Sequence, residues 1–182
     1  MNQDSISGDQ AKVSVLVQVH VEDAFRLFTE EIDQWWRRGL KYRIAGKRRG
    51  IICIEPRLGG RLFESFETPR GQRVVETGRV TAWEPPTRLV LEWRPVNFSA
   101  AERTEVEVSF DRQQSGTLVT VTHRGWNQIR TDHPARHGLA QAPFLRMMGL
   151  WWGGLMQALR EHASQKASTE EPGSSCGNVG VG

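Results

Sequence analysis

Residues 116–126 read GTLVTVTHRGW, and the strict alternation marks one β-strand with Val119, Val121 and His123 on a single face. A short connector then leads to residues 143–164, which carry Phe144, Leu145, Met147, Met148, Leu150, Trp151, Trp152, Leu155, Met156 and Leu159. This stretch reads as a long helix, apolar over more than half its girth. Pro143 suits its first turn, where a missing N–H costs nothing. A final strand that feeds such a helix limits the fold, because the helix must lie on an apolar sheet face.

The earlier strands supply that face. Residues 13–20 (VSVLVQVH) alternate, with Val13, Val15, Val17 and Val19 as the expected buried side. From Glu22 the period becomes helical: Ala24, Phe25, Leu27 and Phe28, then Ile32, Trp35 and Trp36, predict one or two short helices ending at Gly39. Residues 50–55 and 61–67 read as a hairpin around Pro56-Arg57-Leu58-Gly59-Gly60. Residues 73–83 form a long strand with Gly78 as a candidate bulge. After Pro85-Pro86 come residues 88–94, with Leu89, Leu91 and Trp93 on one face, and then residues 103–111, with Val106, Val108 and Phe110 inward. The expected fold is α+β: an antiparallel sheet of about six to seven strands wrapped around a long C-terminal helix, a helix-grip.

At 182 residues the chain fits one domain with tails. The expected division is a flexible N-terminus over 1–12, a domain over 13–164, and a polar, glycine-rich disordered tail over 165–182. Cys53 and Cys176 give neither a disulfide framework nor zinc spacing. The first residues lack the apolar core of a signal peptide, and no stretch approaches the ~18 apolar residues of a membrane span. These features point to the cytoplasm.

The ordered motifs IEPRLGGRLFE, VTAWEPPTRLVLEW, VEVSF and GTLVTVTHRGW, with an early AFRLFTEEIDQWW and a final tryptophan-bearing helix, carry a resemblance. Over roughly residues 13–164 the chain resembles homologues of the heat-shock-protein-90 ATPase activator, within the SRPBCC (START-like, birch-pollen-allergen fold) superfamily. The resemblance implies a cavity between the sheet and the last helix. It does not imply co-chaperone activity, because many members are stand-alone domains without a known ligand. Two features depart from the family pattern: the basic segment 37–49, and Gly149, Gly153 and Gly154 inside the last helix. Each helix-interior glycine costs about 1 kcal/mol relative to alanine, so these glycines predict a kink, open space or close backbone packing.

The candidate ligand cavity is lined by Phe63, Trp93, His123, Trp126, Met148 and Trp152; the same residues would otherwise make a filled core. His123 is the best polar candidate, as a ligand-orienting group or a neutral-pH acid/base, but no acid or nucleophile stands at a defined spacing from it. No catalytic residue is assigned. Asp132, His133 and His137 are weak metal candidates in a loop, and no metal site is assigned. Glu55 and Glu64 read as exposed strand carboxylates rather than an acid/base pair. No P-loop or GxGxxG follows a strand, so no cofactor is expected. The segment 37–49 holds Arg37, Arg38, Lys41, Arg43, Lys47, Arg48 and Arg49 without an acid, and reads first as a solvated loop.

Three functions are weighed. The first is a binding module for a small hydrophobic or amphipathic molecule, or a lipid, with connector 126–142 as a lid. The second is an enzyme of the aromatase/cyclase or hydrolase kind in the same cavity. The third is a protein-interaction or stress-related regulatory domain using the basic segment. Nucleic acid is the less favoured partner, and either a monomer or a homodimer fits. An open pocket containing His123 favours the first two; a filled core favours the third.

Overall fold

The computed structural model describes residues 8–95 and 97–170. Strand β1 (Gln10–Val17) is followed by helices α1 (Val21–Thr29) and α2 (Ile32–Trp35). Six strands come next: β2 (Gly50–Ile54), β3 (Arg61–Thr68), β4 (Gly71–Glu84), β5 (Arg88–Trp93), β6 (Thr104–Gln113) and β7 (Gly116–Arg124). Helix α3 (Gln141–Glu170) closes the chain. All pairs are antiparallel, in the order β1-β7-β6-β5-β4-β3-β2. This is the expected helix-grip, with the sheet curled around α3 and the two short helices.

Alternation positions the core. Val119 and Val121 from β7 and Val106, Val108 and Phe110 from β6 are fully or almost fully buried. Phe25 and Phe28 of α1 meet Phe110 with ring centroids 5.1 and 5.7 Å apart. Glu105 and Glu107 point to the outer face, where both pair with Arg124. At the β6–β7 turn, Gly116 has φ +140°, and a Cβ there would lie 2.1 Å from the Val17 carbonyl oxygen, so no larger residue fits.

Two bulges in β4 set the curl. Leu62 pairs with Gly78 and Phe63 with Glu76, which leaves Thr77 as the extra residue beside the expected bulge glycine. A second irregularity leaves Thr81 unpaired between Val80 and Ala82. That extra residue moves the inward position from Ala82 to Trp83, whose ring meets Phe25 at 5.0 Å. Alternation alone does not reveal this second bulge.

The domain edges also differ from expectation. β1 begins at Gln10, inside the segment read as flexible. α3 runs to Glu170, six residues past the expected boundary at 164. Lys166 pairs with Glu31 at 3.2 Å, and Ser168 and Thr169 bond back to carbonyls of the preceding turn, which holds this polar stretch in the helix. The rest of the expected tail, 171–182, and residues 1–7 lie outside the described residues. No helix among the described residues is long and apolar enough to cross a membrane.

Candidate functional site: a tryptophan cluster and a basic cleft

His123 lies at the end of β7 on its inner face, paired in register with Val106 and Ala11, and is completely buried. Trp152 of α3 donates its indole N–H to Nδ1 of His123 at 3.2 Å. Because an indole nitrogen only donates, Nδ1 must accept, and the ring proton sits on Nε2. Nε2 then donates to Oγ1 of Thr104 at 2.8 Å, and that hydroxyl reaches the Trp93 carbonyl at 3.4 Å. Desolvation lowers the His123 pKa from 6.5 to about 3, so the imidazole is neutral near pH 7. Both nitrogens are occupied. The ring cannot take up or deliver a proton without breaking this chain of hydrogen bonds.

Aromatic rings pack around it. Trp126, Trp93 and Trp152 lie 4.6, 5.8 and 6.1 Å from the imidazole. Trp36 meets Trp35, Trp93, Trp151 and Trp152 within 6.3 Å. Six of the seven tryptophans thus form one cluster between α2, β5, β7 and α3; Trp83 stands apart on Phe25. Met148 is half-buried against the cluster. Phe63 is not part of it: it faces outward, paired with Cys53, under the Arg61 guanidinium at 4.9 Å. The structure brings together five of the six expected cavity residues and leaves Phe63 on the other side of the sheet. Trp36, Trp151 and Thr104 belong to the cluster and lie outside the expected cavity set. Thr104 was findable, since it shares a face with Val106 by simple alternation.

In the space expected as a cavity, Trp35, Trp36, Trp126, Trp152 and His123 are all buried. One polar atom in it lacks a partner, the buried Nε1 of Trp126. α3 runs unbroken through its three glycines. A Cβ at Gly154 would lie 2.6 Å from the Tyr42 hydroxyl, so close packing explains that position. Nothing in the structure explains Gly149 or Gly153, where a Cβ would meet no atom within 4 Å.

The connector between β7 and α3 is pinned rather than free. Arg136 is buried, donates to the Trp126 carbonyl and to Gln141 Oε1 at 2.7 Å, and lies 5.4 Å from the Phe144 ring centroid. His133 is also buried: Nδ1 accepts from Ala135 N at 3.0 Å and Nε2 donates to the Asn97 carbonyl at 3.1 Å. Its commitment to backbone separates it from Asp132 and His137, which are exposed.

The basic segment is a folded cover over the inner face of β3 and β4. Arg43 is buried; it pairs with Asp33 Oδ1 at 2.7 Å and donates to the Trp36 carbonyl at 2.8 Å. Its Nε faces Glu64 Oε1 at 3.8 Å, while Glu64 Oε2 accepts from the backbone of Ile44 and Ala45 at 2.6 and 3.0 Å. Glu64 is therefore a buried anchor and not the exposed strand carboxylate expected. Glu55 is held well apart in function by Arg61, whose guanidinium and backbone N–H lower the carboxyl pKa to about 2.

Beyond this anchor, Arg38, Lys47, Arg48 and Arg49 line a cleft of about 980 Å³ with Ile51, Ser65, Phe66, Glu67 and Gln72. Arg48 lies over the Phe66 ring at 5.8 Å. A smaller cleft of about 420 Å³ opens on the outer face over Glu105 and Arg124. Neither is lined by His123 or by the tryptophans.

A curled antiparallel sheet gripping a long C-terminal helix defines a helix-grip domain of the SRPBCC kind. Residues 18–143 match the family described as Activator of Hsp90 ATPase homolog 1-like protein, and the chain belongs to that family. No curated protein matches it. Among solved structures it is similar to a Nitrosomonas europaea protein at 18% identity and a TM-score of 0.59, covering 88% of this chain and 97% of that one. An AHSA1-like protein of Aeromonas hydrophila is similar at 17% identity and a TM-score of 0.58, covering 90% and 96%. A Staphylococcus aureus protein reaches a TM-score of 0.62 at 13% identity, covering 88% and 96%. At these identities the likeness speaks for the fold alone.

Proposed function

We propose that the chain is a non-enzymatic regulatory domain that docks an anionic partner protein in the basic cleft beside β2. The observation that carries this reading is the contrast between the two candidate sites. The space under α3 is occupied by tryptophan rings around a neutral, fully bonded His123. The cleft beside β2 is open, wide and lined by four cations against one carboxylate. A pocket with this charge balance attracts anions and steers their approach.

The test is titration of the protein with fluorescent poly-glutamate at low ionic strength. Binding should be saturable, should weaken as salt screens the charges, and should fall about tenfold in Arg48→Glu/Arg49→Glu, a loss of about 1.4 kcal/mol. A double variant that binds as well as the parent chain would remove the cleft from consideration.

One observation favours a second reading, a small apolar ligand with a hydrogen-bond acceptor beneath α3. Trp126 Nε1 is a buried donor without an acceptor, and an unmet buried donor costs roughly 1–3 kcal/mol. A ligand carbonyl inserted beside it would recover that cost. Solvent extraction of the purified protein followed by mass spectrometry tests this: a reproducible stoichiometric small molecule supports it, and an empty protein refutes it.

A further inference from the structure

We infer that the partner segment taken by the basic cleft is an acidic peptide carrying an apolar anchor residue, held by side chains rather than by strand addition. This rests on the docking reading and narrows it.

β2 is an edge strand, and an exposed edge ordinarily invites a peptide to add as another strand. Here two of the outward backbone groups are already engaged. Asp33 Oδ1 accepts from Ile52 N at 2.9 Å, and Arg38 donates to the Gly50 carbonyl at 3.1 Å. A strand added along the whole of β2 would have to displace both side chains.

Lys47, Arg48 and Arg49 are exposed and have no ion-pair partner among the described residues, whereas Arg38 is already paired with Asp33 at 3.2 Å. Three unmatched cations on consecutive residues fit two or three carboxylates of a short segment.

Ile51 is half exposed beside these cations and lines the same cleft, an apolar patch among charges. A purely ionic ligand leaves that surface wet. A Leu or Phe side chain between carboxylates covers it, as apolar anchors do in other peptide grooves.

Nucleic acid fits less well. Single strands bind by stacking bases on exposed aromatic faces. Trp35, Trp36 and Phe66 beside the basic segment are all buried, and the half-buried Tyr42 lies against Trp151 and does not line this cleft, so the cleft itself offers no such face.

The experiment uses fluorescence anisotropy with three labelled probes on the full chain: a glutamate-rich peptide with one central Leu, the same peptide with Ser in its place, and a single-stranded oligonucleotide. The Leu peptide should bind about tenfold tighter than the Ser peptide, the worth of one covered apolar side chain. Ile51→Ser, a surface change, should erase that difference while leaving the Ser peptide unchanged. Equal binding of the two peptides, or an oligonucleotide that binds as tightly as the Leu peptide, overturns the inference and leaves a general anion site. Failure of all three probes and of poly-glutamate overturns the docking reading itself.

Discussion

Trp152 reaches across from α3 and donates its indole N–H to Nδ1 of His123 at 3.2 Å, which fixes the histidine as a neutral Nε2–H tautomer. That single bond links the gripping helix to the last strand and, through Thr104, to β6 and β5. It turns the most conspicuous histidine in the sequence into a structural connector.

Replacing His123 by Phe removes a donor and an acceptor but keeps the volume. Trp152 Nε1 is then left unmet in the core at about 1–3 kcal/mol, while Thr104 Oγ1 loses one bond and keeps the one to the Trp93 carbonyl. Urea denaturation should show a loss of roughly 2–4 kcal/mol. Poly-glutamate binding of the folded variant should not change.

Acid should weaken the fold through the same residue. The folded pKa is about 3 and the unfolded value 6.5. Between them the unfolded chain binds a proton that the native chain excludes, so stability falls as pH drops below 6.5. The loss is about 1.4 kcal/mol per pH unit until pH approaches the folded value. Glu31 and Glu107, whose pKa values are lowered from 4.5, lose their contribution only at more acidic pH. Comparing denaturation of the parent chain and His123→Gln at pH 7 and pH 5 isolates the term. The stability difference should shrink by about 2 kcal/mol at the lower pH.

The cover and the cleft should respond differently to mutation. Arg43→Ala removes the cation that pairs with Asp33 and faces the buried Glu64, and should cost about 3–5 kcal/mol. Arg48→Glu and Arg49→Glu are surface changes and should stay within about 0.5 kcal/mol. Thermal melts of the three variants decide this. Equal effects would return the whole segment to a solvated loop.

The three glycines of α3 should separate as well. Gly149→Ala and Gly153→Ala meet open space and should each stabilise by up to about 1 kcal/mol. Gly154→Ala must displace the Tyr42 hydroxyl, so its gain should be smaller or absent. Chemical denaturation of the single variants checks the order.

Local pattern made much of this molecule legible. The period of two in residues 103–124 placed Val106, Val108, Phe110, Val119, Val121 and His123 on one buried face, because alternation alone decides which side of a strand a residue takes. The same pattern and the apolar final helix gave the helix-grip and the meander of strands. Other placements depended on contacts between distant residues. The Thr81 bulge sends Trp83 inward against plain alternation. Phe63 and Glu64 are neighbours that took each other's expected places: the aromatic ring faces outward under Arg61, and the carboxylate faces inward because Arg43 and two backbone N–H groups compensate its burial. Whether His123 met a ligand, a proton or a partner side chain was likewise decided by α3 folding back on the sheet. Periodicity is a property of neighbours along the chain, whereas burial of a charge or a histidine depends on which distant groups the fold brings within hydrogen-bonding distance.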